Sequence, residues 1–571
     1  MRRRMRYGLP VLLCALALSG CSTTGLKTSL SGIAEEASTA ETDTGDPDDI
    51  LMEEASADVI AAEEETAETD TGDPDELPIQ GAIAADTLAV TVNSDGAVQP
   101  LTIAAGTHYD YKYSNKYDTC IAEMSYPIIQ LGESEQTAYP KLASAITKLN
   151  NKERKAQKAQ YKENVTTAKQ QLASEGSEDF ITYRNLESVT CRRADSVVTS
   201  FVFEGENYWG GVHGAYYYTG VTLDTQTGKT LKLKNIVADR GALAVLVEEA
   251  LYQYYDPAEF YDDIDLVEYI TSDDTTLYWV LDDQGLTFYF NAYDIAPYAS
   301  GTQTVTISYA EHPEVFKSKY MEVPDSYGVD FSYDSPFYFD VDNDGDLDQI
   351  LISGSLDEYG YMYEQSISLN GKTRTDDAGC YSLNPMLIHT ADGSNYLYLE
   401  GSQENDYRMM EIYNLSTGKV KKVKAFYSGL HSVYSEDDGA AIYTKLTNPN
   451  LFLLDTRTEV LSTVTGTKVY AVGEKGIPVS EDTLYSFTSP IKLKLKRSLK
   501  MTRYSNGVKG KKKTLKKGTI LYYTGTNNKK TCELTTKSGI TYRIALDSNS
   551  WPKTIHDTDI EDIFDGTIFA G

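Results

Sequence analysis

"SFVFEGENYWGGVHGAYYYTGVTLD", Ser200 to Asp224, sets two runs of β-branched and aromatic residues on either side of a glycine-flanked turn. Runs of this kind bounded by glycine read as strands joined by a tight turn. The same pattern extends outward. "TYRNLESVTCRRADSVV" (182–198) adds a strand before it, and "LDTQTGKTLKL" (223–233) reads as strand, Thr-Gly turn and strand. "GALAVLVEEALYQYY" (241–255) is helical. "GLTFYFNAYDIAPYASGTQTVTISY" (285–309) closes with two strands around a glycine-containing turn. Upstream, "LAVTVNSDGAV" (88–98) and "DYKYSNKYDTCIAEMSYPII" (110–129) are strand-like. A polar helix from about Tyr139 to Ser174 carries Leu142, Ala145, Ile146 and Leu149 at helical spacing. Strands and helices do not alternate strictly, so residues 87–322 predict an α+β module.

His213 lies at the centre of this stretch and is one of 6 histidines in 571 residues. A metal site needs several converging ligands, and a nucleophilic site needs a base, a nucleophile and an orienting group. The chain has no HxxxH, HExxH or GxSxG motif, and His108, His312, His389, His431 and His556 are scattered singly. No catalytic residue is therefore assigned. His213 reads as a structural residue beside a tight turn, or as a ligand contact together with Tyr208, Trp209, Tyr216, Tyr217 and Tyr218. Clustered Tyr and Trp suit protein or glycan recognition, and suit a β-core equally well.

The three motifs "YPII" (126–129) before the polar helix, "GGVHGAYYYTGVTLDTQTGKTLKLKNIV" (210–237) and "FYFNAYDIAPYASGTQTVTISY" (288–309) occur in an order that resembles the extracellular module of RsiV-type anti-sigma factors and PdaC-type peptidoglycan deacetylases. Val212 departs from the alanine usual in that family. The RsiV/PdaC-like resemblance covers about 235 residues. It implies an extracellular binding module, with lysozyme as the ligand known for one branch. It does not make the module an enzyme.

The chain begins with a basic "MRRRMR", a short apolar run and "LSGC" ending at Cys21. This resembles a bacterial lipobox. It implies a signal peptide over 1–20, lipidation (palmitate) of Cys21 and anchorage at the extracytoplasmic face of the membrane. Residues 27–78 hold 18 acidic residues and one basic residue, a net charge of −17, and repeat "TAETDTGDPD" at 39–48 and 66–75. Residues 21–86 therefore read as a disordered acidic tether. Total net charge is −33. That balance argues against nucleic acid as a partner. Cys120, Cys191, Cys380 and Cys532 remain without a CxxC motif. Cys120 and Cys191 are expected in strands of one module, where they form a disulfide or stay free thiols.

Residues 323–485 read as a second, β-rich domain. In "FYFDVDNDGDLDQILIS", Asp340, Asp342, Asp344 and Asp348 take positions 1, 3, 5 and 9, with Gly345 at 6 and Asp346 at 7. Alternating aspartates in a curled loop can turn several carboxylates inward toward calcium, which takes six to eight oxygens, and Asp346 would offer its backbone carbonyl. Position 12 is Leu351, not the glutamate of an EF-hand. Strand-like flanks make the loop resemble those of FG-GAP-type propeller blades. The expectation is a small propeller-like β-domain of about four blades holding structural Ca2+.

Residues 486–571 carry 16 Lys or Arg and one Glu between Ile491 and Arg543. "LKKGTILYYTG" and "CELTTKSGITYRI" resemble a bacterial SH3-like barrel, which implies attachment to wall peptidoglycan. The basic face would attract an anionic wall polymer. The expectation is a non-enzymatic lipoprotein of the cell envelope that binds peptidoglycan or a peptidoglycan-acting protein such as lysozyme. A cell-wall hydrolase or deacetylase with a carboxylate pair, and a structural envelope protein, are the alternatives.

Overall fold

The structure, a computed structural model, describes residues 97–570 apart from 178, 179 and 506. The leader, Cys21, the acidic segment and most of "LAVTVNSDGAV" lie outside the described residues. Among the described residues no helix is long and apolar enough to cross a membrane. The architecture is mainly β, with a small helical part near the N-terminal end.

The first sheet contains β1 (Ile103–Tyr113), β2 (Cys120–Leu131), β3 (Tyr183–Ala194), β4 (Val198–Tyr208) and β5 (Ala215–Asp224) in that order. Short α1 (Glu133–Ala138) and long α2 (Pro140–Glu175) connect β2 to β3, the one parallel strand pair among the described residues. Pro140 opens α2, where its missing N–H costs no hydrogen bond. Leu142 and Ile146 at one end of α2 pack on Ile129, Phe201 and Phe203. Ala168 and Leu172 at the other end pack on Ile121 and Tyr183. Between them the buried positions are polar, Gln157 and Asn164.

A helical layer follows: α3 (Leu233–Ile236), α4 (Arg240–Tyr254) and α5 (Leu266–Thr271), against the sheet β6 (Tyr278–Leu281), β7 (Gly285–Phe290) and β8 (Gln303–Ser308). Leu243, Val247 and Leu251 recur at one turn of α4 and share a core with Leu286, Phe288, Val305 and Ile307. The strand expected after the Thr-Gly turn reduces to a single bridge, Leu223 to Thr230. "LKNI" winds into α3 instead, because that one turn buries Leu233 and Ile236 in the helical core.

β9 (Tyr327–Asp330) precedes two meanders. One is β10 (Phe337–Phe339), β11 (Asp348–Leu356), β12 (Met362–Leu369) and β13 (Lys372–Cys380). The other is β14 (Ser382–His389), β15 (Asn395–Ser402), β16 (Arg408–Asn414) and β17 (Lys421–Phe426), with β9 on its β14 edge. The second meander is apolar on both faces. Leu387, Leu397 and Leu399 meet Ile350, Ile352 and Ile367 of the first. Met386, Ile388, Tyr398 and Ile412 face the other way, onto Leu430, Phe452 and Leu454. A period of two with both sets apolar requires a partner on each side, and the layers stack accordingly.

The third layer begins with β18 (Gly429–Leu430), the hairpin β19 (Ser432–Ser435) and β20 (Ala440–Thr444), then β21 (Phe452–Glu459), β22 (Thr463–Val472), β23 (Pro478–Val479) and β24 (Tyr485–Leu495). Its sheet continues through β25 (Leu499–Ser505), β26 (Val508–Leu515), β27 (Ile520–Thr526), β28 (Thr531–Thr535) and β29 (Thr541–Ala545), in the order β18-β21-β22-β24-β27-β28-β29-β25-β26. That sheet runs through position 485, the boundary expected for the SH3-like barrel, and stays open. Val460 and Leu461 of the β21–β22 turn pack into the C-terminal core. The β19–β20 hairpin leaves its neighbours and pairs with the edge of β1, Gly106 opposite Ile442. A Cβ at Gly106 would sit 2.2 Å from the Ala441 carbonyl oxygen, so only glycine admits the hairpin there. The propeller-like β-domain expected here consists of two stacked meanders whose sheets stay open.

All four cysteines among the described residues are free. Ala122 pairs with Tyr183 in the parallel register. Cys191 therefore lies about 30 Å along the sheet from Cys120 at ~3.3 Å per residue. A disulfide spans Cα atoms ~4.4–6.8 Å apart, so the expected pairing is ruled out.

Candidate functional site

β4 and β5 form a long antiparallel pair, with Val202 opposite Gly220 and Asn207 opposite Ala215. Phe201 and Phe203 point into the core beneath α2, and Val202 packs with Val280 and Tyr289 on the other face. The expected contact residues divide along this hairpin. Tyr218 is a packing residue, stacked on Tyr289 at 5.1 Å, and Tyr217 is half-buried with its hydroxyl 3.4 Å from Glu187 Oε1. Tyr208, Trp209, His213 and Tyr216 lie at the outer end. There Trp209 is 51% exposed and Val212 is fully exposed.

The tip is ordered by its own contacts. Gly210 and Gly211 adopt positive φ (85° and 117°), and a Cβ on Gly214 would come 2.7 Å from the Asn207 carbonyl oxygen. The Tyr208 hydroxyl donates to the Gly211 carbonyl oxygen (3.1 Å). His213 Nδ1 lies 2.8 Å from the Gly214 carbonyl oxygen, an acceptor, which places the proton on Nδ1. The His213 ring stacks on Tyr298 at 4.1 Å, and Tyr298 neighbours Tyr293 at 5.8 Å. Asn291 ties the two segments together: Oδ1 accepts from Tyr218 N (2.7 Å) and Nδ2 donates to Tyr218 O (3.0 Å). The "GGVHG" and "IAPYA" stretches thus meet. Tyr293, Tyr298 and Asn291 belong to this surface and went unassigned from sequence, although "IAPYA" was visible as a motif. Among the described residues His213 joins no group of three metal-ligating side chains.

The aspartate loop sits between β10 and β11, closed by the pair Phe339 and Asp348. Asp340, Asp342 and Asp348 each bring one carboxylate oxygen within 4.8 Å of the others. Asp340 accepts from the amides of Asp344 (3.2 Å) and Gly345 (3.0 Å). Asp348 accepts from Val341 N (3.0 Å) and from Asn370 Nδ2. Asp342 Oδ1 is buried with no hydrogen-bond donor. Burial, reinforced by neighbouring carboxylates, holds the Asp340 and Asp348 carboxyls above their ordinary range. Asp344 and Asp346 are exposed, and their side chains do not join the group. The loop is braced from outside by Asn395 Nδ2 on the Val341 carbonyl (2.9 Å) and by Gln284 Oε1 on Asp340 N (2.7 Å). Three carboxylates in a glycine-bent loop fit a hard cation. Backbone carbonyls and water would complete its shell.

Most other buried carboxylates are neutralised by cations. Arg192 pairs with Asp282 (2.9 Å), Arg193 with Asp195 (2.6 Å), Lys445 with Asp330 (2.9 Å), and Lys422 with Glu411 (2.7 Å). His431 Nδ1 lies 2.8 Å from Asp455 within a cluster that includes Arg408. The lysines of β26 are exposed on the last strand of the open sheet. Such charges also discourage edge-to-edge pairing.

Residues 234–310 match the family described as "Protein of unknown function (DUF3298)". The match spans α3 to β8 with the loop that carries Tyr293 and Tyr298. A DUF3298-family structure from Bacteroides fragilis is 16% identical, with 38% of this chain and 94% of that chain covered and a TM-score of 0.30. A second, from Pseudomonas aeruginosa, is 14% identical, with 39% and 98% covered and a TM-score of 0.27. No curated protein matches the chain.

Proposed function

We propose that this protein is a lipid-anchored, non-enzymatic binding protein of the bacterial cell envelope, with an RsiV/PdaC-like module that recognises peptidoglycan or a peptidoglycan-acting protein. The observation that supports this reading is the hairpin tip. Trp209 is half-exposed on a backbone held by glycine angles, and at the same hairpin tip His213 stacks on Tyr298. A rigid aromatic patch loses little entropy on binding and presents flat faces with polar edges. Lysozyme is the candidate ligand by resemblance, and the basic C-terminal strands would add attraction to an anionic wall polymer. Calcium at Asp340, Asp342 and Asp348 would be structural, holding the β10–β11 loop.

The test uses the chain from residue 78 to its end on purified walls and on immobilised lysozyme. Point variants are preferable to truncation, because a cut after 322 removes the hairpin that pairs with β1. Trp209→Ala should lower retention at least tenfold with the fold intact. Undiminished retention of that variant, or no retention of the parent on either surface, refutes the reading.

A further inference from the structure

A second aromatic surface lies far along the chain from the hairpin tip. Three turns meet at one end of the two stacked meanders: the β11–β12 turn, the β13–β14 junction and the β15–β16 turn. Together they line an open groove of about 700 Å³. This is within the ~300–1,000 Å³ typical of ligand clefts.

The groove is built from tyrosines held in place by polar contacts. The Tyr381 hydroxyl donates to Glu404 Oε1 (3.0 Å), and Tyr361 packs edge-on against Tyr381 at 5.1 Å and 74°. Tyr407 is backed by the Arg457 guanidinium at 4.6 Å. Asp357 Oδ1 accepts from the amides of Tyr359 (2.8 Å) and Tyr361 (2.9 Å), a tight turn that leaves Tyr359 75% exposed. Gln403 Nε2 donates to the Gly379 carbonyl (2.9 Å) and ties the junction to the β15–β16 turn.

The charges limit what can enter. Among the described residues, Asp357 and Glu404 line the groove and no Lys, Arg or His does. Arg457 is committed elsewhere: Nη1 donates to the Asn405 carbonyl (3.2 Å), Nη2 to the Ala570 carbonyl (2.9 Å), and Nε pairs with Glu459 (3.0 Å). A phosphate-rich polymer would meet two carboxylates and no free cation. A neutral saccharide fits both features. Its C–H faces pack on tyrosine rings, and its hydroxyls donate to carboxylates that have acceptor capacity to spare. We propose that this groove is a saccharide-binding site for an uncharged glycan chain, with Tyr359, Tyr381 and Tyr407 as stacking platforms and Asp357 and Glu404 as hydroxyl acceptors. It rests on residues separate from the hairpin tip and does not depend on that reading.

The test is titration of the purified full-length protein with tetramers of β-1,4-linked glucose and of N-acetylglucosamine, followed by tyrosine fluorescence and affinity electrophoresis. At least one tetramer should bind saturably at millimolar concentration or below. Tyr359→Ala and Tyr381→Ala should each weaken that binding at least tenfold. Tyr381→Phe, which keeps the ring and loses the link to Glu404, should weaken it less. Tyr359 is exposed, so its variant should fold. Trp209→Ala at the hairpin and Tyr434→Ala on exposed β19 should bind as the parent does. Absence of saturable binding by either tetramer overturns the proposal, and so does equal binding by the Tyr359 and Tyr381 variants. A polypeptide partner lost on Tyr359→Ala, with no response to either tetramer, also overturns it.

Discussion

Glu187, on β3 beneath the middle of α2, gives the sharpest test of the packing described above. It is 5% exposed. Its backbone N–H and C=O are both satisfied by Ser125 Oγ of β2. The carboxylate is not: Oε2 is buried without a donor, and Oε1 has a long contact with the Tyr217 hydroxyl of β5. The α2 residues that face it are Glu153, which repels its charge, and Gln157 and Lys152, which favour the charged form weakly. Burial dominates and pushes the Glu187 carboxyl from 4.5 up to about 7. The folded state therefore holds this proton more tightly than the unfolded chain does. Stability from this group is greatest below about pH 4.5, falls as pH rises to about 7, and is level above. At about 1.4 kcal/mol per pH unit the loss is about 3 kcal/mol. Glu187→Gln removes the charge and keeps the shape. Amide hydrogen exchange along β3, β5 and α2, compared between variant and parent at each pH, reads the local opening free energy. The variant should exchange about 100-fold more slowly than the parent at pH 8 and at nearly the same rate at pH 4.5. A ratio independent of pH, or faster exchange by the variant at pH 8, would refute the assignment of a buried, poorly compensated carboxylate.

Calcium at one hundred times its dissociation constant should stabilise the protein by about 2.7 kcal/mol. Asp342→Asn should abolish most of that gain, which calorimetry with and without chelator would show. Gly106→Val should push the β19–β20 hairpin off β1 and cost about 1–3 kcal/mol, read from urea midpoints and from faster exchange at residues 440–444. Cys120→Ser should leave the melting temperature unchanged in oxidising and reducing buffer alike, because its thiol is half-buried and unbridged. Raising salt should weaken retention on anionic walls if the β26 lysines contribute, and leave saccharide binding in the tyrosine groove untouched.

Local pattern carried much of this fold. The helical spacing of Leu142, Ala145, Ile146 and Leu149 marked α2 to within a residue or two, and the β-branched and aromatic runs on either side of the glycine-flanked turn marked β4 and β5. The aspartate spacing marked a strand–loop–strand unit, which the pair Phe339 and Asp348 closes. These signals lie within one element or one turn, where hydrogen bonds and side-chain direction follow from neighbouring residues. What neighbouring residues do not encode was decided by tertiary packing. The short strand after the Thr-Gly turn gave way to α3 because its leucine and isoleucine were worth more in the helical core. Cys120 and Cys191 were kept apart by the parallel register of β2 and β3, and β24 joined a sheet begun before position 485. His213 met Tyr298, and Tyr361 met Tyr381, across gaps of 85 and 20 residues in the chain. Such contacts depend on which apolar faces find each other, and a period of two or 3.6 identifies a face without naming its partner.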